Sequence, residues 1–156
     1  MNHWLLKSEP AEFSIDDLEA SPKRTTKWDG VRNYQARNFM RDDMKKGDLA
    51  FFYHSSCDTP GIVGIVRIVG EARPDETAFN SKHKHFDAKS DRSEPRWFGV
   101  DMRLERRLKK PLTLVKLKQY AGDSLSELQL LKRGNRLSVM PISENEWTFI
   151  LSLEQS

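Results

Sequence analysis

The stretch Trp28-Asp-Gly-Val-Arg-Asn33, followed at once by Tyr34-Gln-Ala-Arg-Asn38-Phe-Met40, crowds aromatic rings, amides and guanidiniums onto a turn-to-helix junction. A flat polar ligand calls for that mixture. Trp28 or Tyr34 can stack on its face, while Asn33, Arg37 and Asn38 can hydrogen-bond its edge or a phosphate. Packing accounts for the same residues as a buried tryptophan beside a solvated helix, because most tryptophans serve the core first.

Catalytic alternatives find less support. Neither Gly-x-Gly-x-x-Gly nor a Walker-type Gly/Lys/Ser pattern occurs, which argues against the commonest nucleotide enzymes. His83-Lys-His85 offers two imidazoles close together but no third ligand, so no metal is expected. His54 and Cys57 could form a base and thiol pair oriented by Asp58, yet no flanking motif supports it. Hydrogen bonding at the end of a strand suits His54 better. The lone Cys57 excludes an internal disulfide.

Net charge is +3, but its placement is uneven. Arg103, Arg106, Arg107, Lys109, Lys110, Lys116 and Lys118 face one acid, Glu105, in the same stretch. Lys82, Lys84 and Lys89 punctuate a loop, and Lys132, Arg133 and Arg136 surround Gly134. Such patches favour a polyanion, although a solvated surface explains each one separately. A length of 156 residues with 37% hydrophobic content fits one domain, spanning 1–156 with a core of about 2–152. The apolar run Trp4-Leu-Leu is too short for a signal peptide or a membrane span. A cytoplasmic protein is expected, or an intracellular or nuclear one in a eukaryote, neither secreted nor membrane-bound.

These side chains need elements to hold them. His3-Trp-Leu-Leu-Lys-Ser8 reads as a strand stopped by Pro10, and Ser14 with Asp17 as a capping box for a helix ending near Pro22. Ala36, Phe39, Met40 and Met44 have helical spacing from Asn33 onward, leaving Arg37 and Arg41 off the apolar stripe. Two strands follow, Leu49-Ala-Phe-Phe-Tyr-His-Ser55 and Ile62-Val-Gly-Ile-Val-Arg-Ile-Val69. Polar His54 and Ser55 end the first, and Gly64 marks a bulge or close approach in the second.

Residues 71–95 form a long polar excursion with Phe79 and Phe86 as anchors, and such loops inside compact domains are usually functional or disordered. From Trp97 to Glu105 the alternation is clean. Phe98, Val100, Met102 and Leu104 share one face, which puts Trp97 on the polar one, covered by the preceding loop or by a ligand. Thr113 should cap a helix carrying Leu114, Leu117 and Ala121, and Ser124 another carrying Leu125, Leu128 and Leu131. A short strand over 136–140 and a final helix capped by Ser143 and Glu146, burying Trp147, Ile150 and Leu151, complete an α+β chain. Its sheet should be curved or barrel-like.

The chain also resembles a known family. Trp4-Leu-Leu-Lys-Ser-Glu-Pro10, Ser14-Ile-Asp-Asp-Leu18, the 28–33 and 36–40 stretches, Gly47-Asp48, Phe52-Tyr-His-Ser55, Pro60-Gly-Ile-Val-Gly64, Pro95-Arg-Trp97 and Leu137-Ser-Val139 look like an EVE domain. The resemblance implies a PUA-like pseudo-barrel with surrounding helices. It implies kinship to YTH domains, which read methylated adenine in RNA, and so a non-catalytic reader of a modified base in DNA or RNA. Its implied base pocket comprises Lys7, Ser8, Trp28, Asn33, Asn38, Tyr53, His54, Ser55, Trp97 and Ser138. Arg32, Arg37, Arg41, Arg103 and Arg106 form the expected phosphate-binding set. No cofactor is implied. In this reading a flipped or unpaired base enters between Trp28 and Trp97, and Ser8, Asn33, Asn38 or His54 reads its edge. The competing reading makes the same pocket a hydrolase of a modified nucleotide or nucleic acid, with His54 as base.

Overall fold

Strands β1 (His3–Ser8) and β3 (Leu49–His54) lie side by side and parallel in the interior of the sheet, as their apolar runs demand. Leu5, Leu6, Phe51 and Phe52 are fully buried, covered on both faces. The computed structural model describes residues 1–154, so the last two residues of the expected 1–156 span lie outside the described residues. Outward from this pair run β4 (Gly61–Ile68), β6 (Phe98–Thr113) and β2 (Thr25–Trp28) on one side, with β7 (Val139–Ile142) on the other. The two-residue β5 (Arg73–Pro74) adds to β6. Every pairing except β1 with β3 is antiparallel. Around the sheet sit α1 (Ile15–Ala20), α2 (Tyr34–Asn38), α3 (Leu114–Lys118) and α4 (Glu144–Leu153). The architecture is the α+β, PUA-like pseudo-barrel that the sequence led us to expect.

Local signals act as read. Ser14 accepts from the Asp17 N–H while Asp17 accepts from the Ser14 N–H, closing the box that starts α1. Ser143 and Glu146 do the same for α4, which buries Trp147 and Ile150. At Gly64 a side chain would meet Ile15 Cδ1 and lie 3.0 Å from the Arg106 carbonyl oxygen, so the close approach is real. Register shifts flank it, between Ile62 and Gly64 and between Ile65 and Val66, and they bend β6 around β4.

Other segments depart from expectation. The helix expected over 33–44 ends at Asn38, and a π-helical turn (Phe39–Asp43) follows, with the Met44 N–H donating to the Phe39 carbonyl at 2.8 Å. The wide turn releases Met44 into extended backbone while its side chain stays in the core. Ser124 does not start an α-helix. Separate turns run through residues 123–128, with a 3₁₀ turn at Gln129–Leu131, because Leu125, Leu128 and Leu130 are all buried. Leu128 and Leu130 would point to opposite sides of a single α-helix.

Strand β6 does not stop near Glu105 but continues to Thr113, with Leu108 and Leu112 turned inward between exposed basic residues. Thr113 caps α3 as expected, but the helix ends before the exposed Ala121. In the 71–95 excursion Phe86 is 42% exposed, so it anchors nothing; buried Asp75 and Ala78 hold that segment instead.

Candidate nucleic-acid interface

A cavity of about 550 Å³ opens where the C-terminal end of β1 meets the turn that follows β2. Lys7 and Ser8 enter it from β1, Trp28 and residues 29–32 from β2 and its turn, and Ser138 from the chain leading into β7. His83, Lys84 and His85 close the far side from the long loop, and Phe13 with Glu9 and Glu12 completes the wall. Among described residues, Lys7 donates its backbone N–H to the Ser138 carbonyl at 2.8 Å, and Ser8 Oγ donates to the Phe13 carbonyl at 2.5 Å. These bonds draw two flanking segments onto the strand end.

The turn and the loop are joined by a buried carboxylate. Asp75, with no exposed surface, accepts from the Gly30 N–H at 2.8 Å, the Thr77 N–H at 2.9 Å and the Thr77 hydroxyl at 2.6 Å. It also pairs with Arg32 at 2.9 Å, and Arg32 reaches on to the His85 carbonyl at 2.5 Å. Burial pushes the Asp75 carboxyl up, but the bonds from Thr77, Gly30 and Arg32 together outweigh it and hold the group below its ordinary range. Gly30 has a φ of +76°, and a Cβ there would sit 2.7 Å from His85 Nε2. Only glycine serves both the turn and the approach of that imidazole.

Trp28 is 8% exposed and packs edge-on against Phe52, with ring centroids 5.5 Å apart. Its remaining surface belongs to the cavity wall. Lys27 Nζ donates to the Pro74 carbonyl at 2.8 Å, and Lys84 pairs with Glu12. Burial lowers the Lys7 ammonium below its usual value. The His85 imidazole is lowered too, by burial first and then by Arg32, Lys84 and His83.

Several expected pocket residues lie elsewhere. Trp97 donates Nε1–H to Asp87 at 2.7 Å and stacks on Tyr34 at 4.9 Å, so the preceding loop and α2 cover it and it does not face Trp28 across the cavity. Asn33 is the N-cap of α2, accepting from the Ala36 N–H at 2.9 Å, and it lines a second cavity of about 310 Å³ with Gln35, Gln129 and Asn135. Asn38 Oδ1 is taken by Arg37 at 2.8 Å and by Arg41 at 3.3 Å. Tyr53 is buried away from the cavity, its phenol pushed up to about 12 by burial and then by Cys57. His54 accepts from the Ile15 N–H at Nε2, 3.1 Å, and burial lowers its pKa. That lone pair is spent, so His54 is not placed to act as a base. Ser55 donates its N–H to the Ser8 carbonyl and stays outside the cavity wall. Lys7, Ser8, Trp28 and Ser138 are the four that the cavity brings together, with Arg32 from the expected phosphate set.

The remaining arginines are mostly engaged. Arg37 bonds the Arg96 carbonyl at 2.8 Å and lies over Tyr34, Arg41 pairs with Asp42 at 2.7 Å, and Arg106 grips Glu154 with both terminal nitrogens. Arg103 is exposed and makes no ion pair among the described residues. Asp29, Lys27 and the 83–85 loop were not singled out from sequence as pocket residues. The local signal was present in His83-Lys-His85, basic residues in a long polar loop, but nothing in it says which side of the molecule the loop covers. Among the described residues no cluster of three or more metal-ligating side chains exists, and no helix is long and apolar enough to cross a membrane.

Comparison with known proteins agrees with this fold. The family model described as the EVE domain matches residues 2–153. Thymocyte nuclear protein 1 from Homo sapiens is 47% identical over 169 residues, covering 99% of this chain and 74% of the relative. The crystal structure of human THYN1 protein in complex with 5-methylcytosine-containing DNA superposes with a TM-score of 0.96 at 46% identity, covering 100% of this chain and 99% of that one. A protein of Pseudomonas putida solved by crystallography gives a TM-score of 0.90 at 47% identity, over 97% of this chain and 99% of its own. The chain belongs to the EVE domain family.

Proposed function

We propose that this chain is a non-catalytic reader of a modified base in DNA, with 5-methylcytosine as the base to test first. The observation that carries the reading is the cavity: a tryptophan wall, a basic margin of Lys7, Lys27 and Lys84, and a volume within the range of about 300–1,000 Å³ usual for ligand sites. The human relative described above, 46% identical along the whole chain, supports DNA and this modification. A base turned out of the duplex would lie against Trp28, beside Ser8 and Ser138. Stacking on an aromatic supplies about 1–3 kcal/mol.

The 5-methyl group is worth only about 0.8 kcal/mol, or about fourfold in affinity. Selectivity therefore requires a tight contact around the methyl and correct reading of the polar edge. The two histidines a hydrolytic reading would call on first are engaged by the backbone. His54 lies outside the wall with its Nε2 accepting a backbone N–H, and His83 Nδ1 accepts the His85 N–H at 3.0 Å. The test is a binding titration of matched duplexes carrying cytosine or 5-methylcytosine at one position, with the products analysed by mass spectrometry. Tighter binding of the methylated duplex with the oligonucleotide recovered intact is expected; equal binding, or conversion of the base, would sink the reading.

A further inference from the structure

The cavity holds one group that an anion-binding site would not want. Asp29 lines its wall, two residues from Lys27 and beside Gly30 at the turn, and makes no hydrogen bond or ion pair among the described residues. Cations near it are committed elsewhere: Lys27 to the Pro74 carbonyl, Arg32 to Asp75 and Thr77, Lys84 to Glu12. The other acids of the wall differ from it. Glu12 is the partner of Lys84, and Glu9, exposed as Asp29 is, lies beyond the end of β1, whereas Asp29 directly follows Trp28. Partial desolvation at the turn, then the nearby Asp75, raises the Asp29 carboxyl above its ordinary range, while Lys27, His85 and His83 oppose that rise; its oxygens are exposed at the cavity wall and open to a donor from a ligand.

A phosphate against this part of the wall would meet a carboxylate with no direct partner, so the place beside Asp29 suits a neutral group that brings its own N–H. Among the bases, cytosine presents such a donor in its exocyclic 4-amino group, and a carboxylate is the side chain that accepts from it. Thymine carries the same 5-methyl group as 5-methylcytosine but has a carbonyl oxygen in place of the amine. A slot that senses the methyl alone cannot separate the two, and thymine is the commonest methylated pyrimidine any DNA reader meets. We infer that Asp29 is the residue that separates 5-methylcytosine from thymine, by accepting a hydrogen bond from the 4-amino group and opposing the 4-oxo group. This inference rests on the proposed base-reading function and adds its specificity determinant.

The experiment compares duplexes carrying cytosine, 5-methylcytosine or thymine at one position, each opposite an abasic site so that no base pair is broken in any of them. Wild type should bind 5-methylcytosine over thymine by on the order of tenfold. Asp29→Asn keeps the shape and lets the side-chain amide donate, so it should lose most of that preference, weakening 5-methylcytosine while thymine holds or gains. Asp29→Ala should weaken 5-methylcytosine and relieve thymine less. Melting temperatures of both variants should match wild type, since Asp29 bonds nothing in the fold. The inference is overturned if Asp29→Asn retains the wild-type ratio, or if it weakens all three duplexes equally, which would make Asp29 a structural or purely electrostatic residue. Wild type that prefers 5-methylcytosine over cytosine while Asp29→Asn keeps the thymine ratio leaves the reader standing and removes Asp29 from it. Wild type indifferent between cytosine and 5-methylcytosine removes both.

Discussion

Trp28 and Trp97 are buried to nearly the same degree, 8% and 6% exposed, and both sit beside the chain stretches richest in arginine and amide. Their surroundings separate them. Trp97 has its indole N–H on Asp87, its face on Tyr34 and two guanidiniums, Arg32 and Arg37, within 5.4 and 5.9 Å of the ring centre. Every side of it is occupied by protein, and what it does is fasten the 82–87 loop and α2 to the start of β6. Trp28 rests its ring edge-on against Phe52, and what surface remains faces the cavity. A buried tryptophan is a binding wall only where its last exposed surface opens on a concavity; the other builds the frame that holds the concavity in shape.

The largest expected effect comes from breaking the frame. Trp97→Ala should lower the unfolding free energy by about 3–5 kcal/mol, the usual cost of deleting a buried tryptophan. Denaturant unfolding followed by circular dichroism measures this. If the ring serves only to fasten the loop, the folded fraction of Trp97→Phe should bind methylated duplex with nearly wild-type affinity; strong loss of binding in a stably folded Trp97→Phe would place the residue back in the site. Trp28→Ala should also destabilise, but it should weaken binding by about a further 1–3 kcal/mol in titrations run well below its melting temperature. Equal affinities for wild type and folded Trp28→Ala would erase the contrast.

The same two residues show what a sequence can disclose. The alternation from Trp97 to Glu105 predicted Trp97 on the polar side of its strand, with its two covers, loop or ligand, left open; the strand begins one residue later, at Phe98. The cover turned out to be Asp87 and Tyr34, contacts across ten residues and across sixty-three that no local period encodes. Capping boxes at Ser14 and Ser143 were legible because their partners lie three residues away. For the same reason Asn33 was misjudged: its position ahead of Ala36 is equally an N-cap signal, and backbone donors at a helix start claim such an amide first. Lys7, Ser8, Trp28 and Ser138 came to light through family resemblance combined with strand ends. Asp29 and residues 83–85 did not, because their place in the cavity is set by Asp75, which ties residue 30 to residue 77 and, through Arg32, to residue 85.

Charge sharpens the contrast at the next level down. Lys84 sits on the cavity wall with an exposed pair to Glu12, whereas Arg106 is locked by Glu154 on both terminal nitrogens. If DNA lies across the cavity, Lys84→Ala should weaken all duplexes alike and reduce the slope of log affinity against log salt by about one. Arg106→Ala should leave the slope unchanged and slightly lower stability. Titrations at several salt concentrations decide it. The reverse pattern would move the DNA path off the cavity and onto the outer face of β6.

The smallest effect separates a structural histidine from a catalytic one. His54 is held neutral in the fold: its Nε2 faces the Ile15 N–H, a donor, and burial lowers its pKa below the ordinary 6.5. Because the unfolded chain takes up the proton first, His54 contributes full stability above that ordinary value and loses it progressively as the pH falls through 6.5 toward the folded pKa. With His3 and His85, which burial also lowers, it should make the melting temperature drop between pH 7 and pH 5 by more than carboxylates alone would give, the His54 share being about a degree, or a fraction of 1 kcal/mol. His54→Gln retains an acceptor for the Ile15 N–H without a titrating ring, and it should remove its own share of that drop, leaving the shares of His3 and His85, which burial also lowers, while binding methylated duplex as wild type does. A hydrolytic base in the same position predicts instead a product-forming activity in wild type that disappears in His54→Gln.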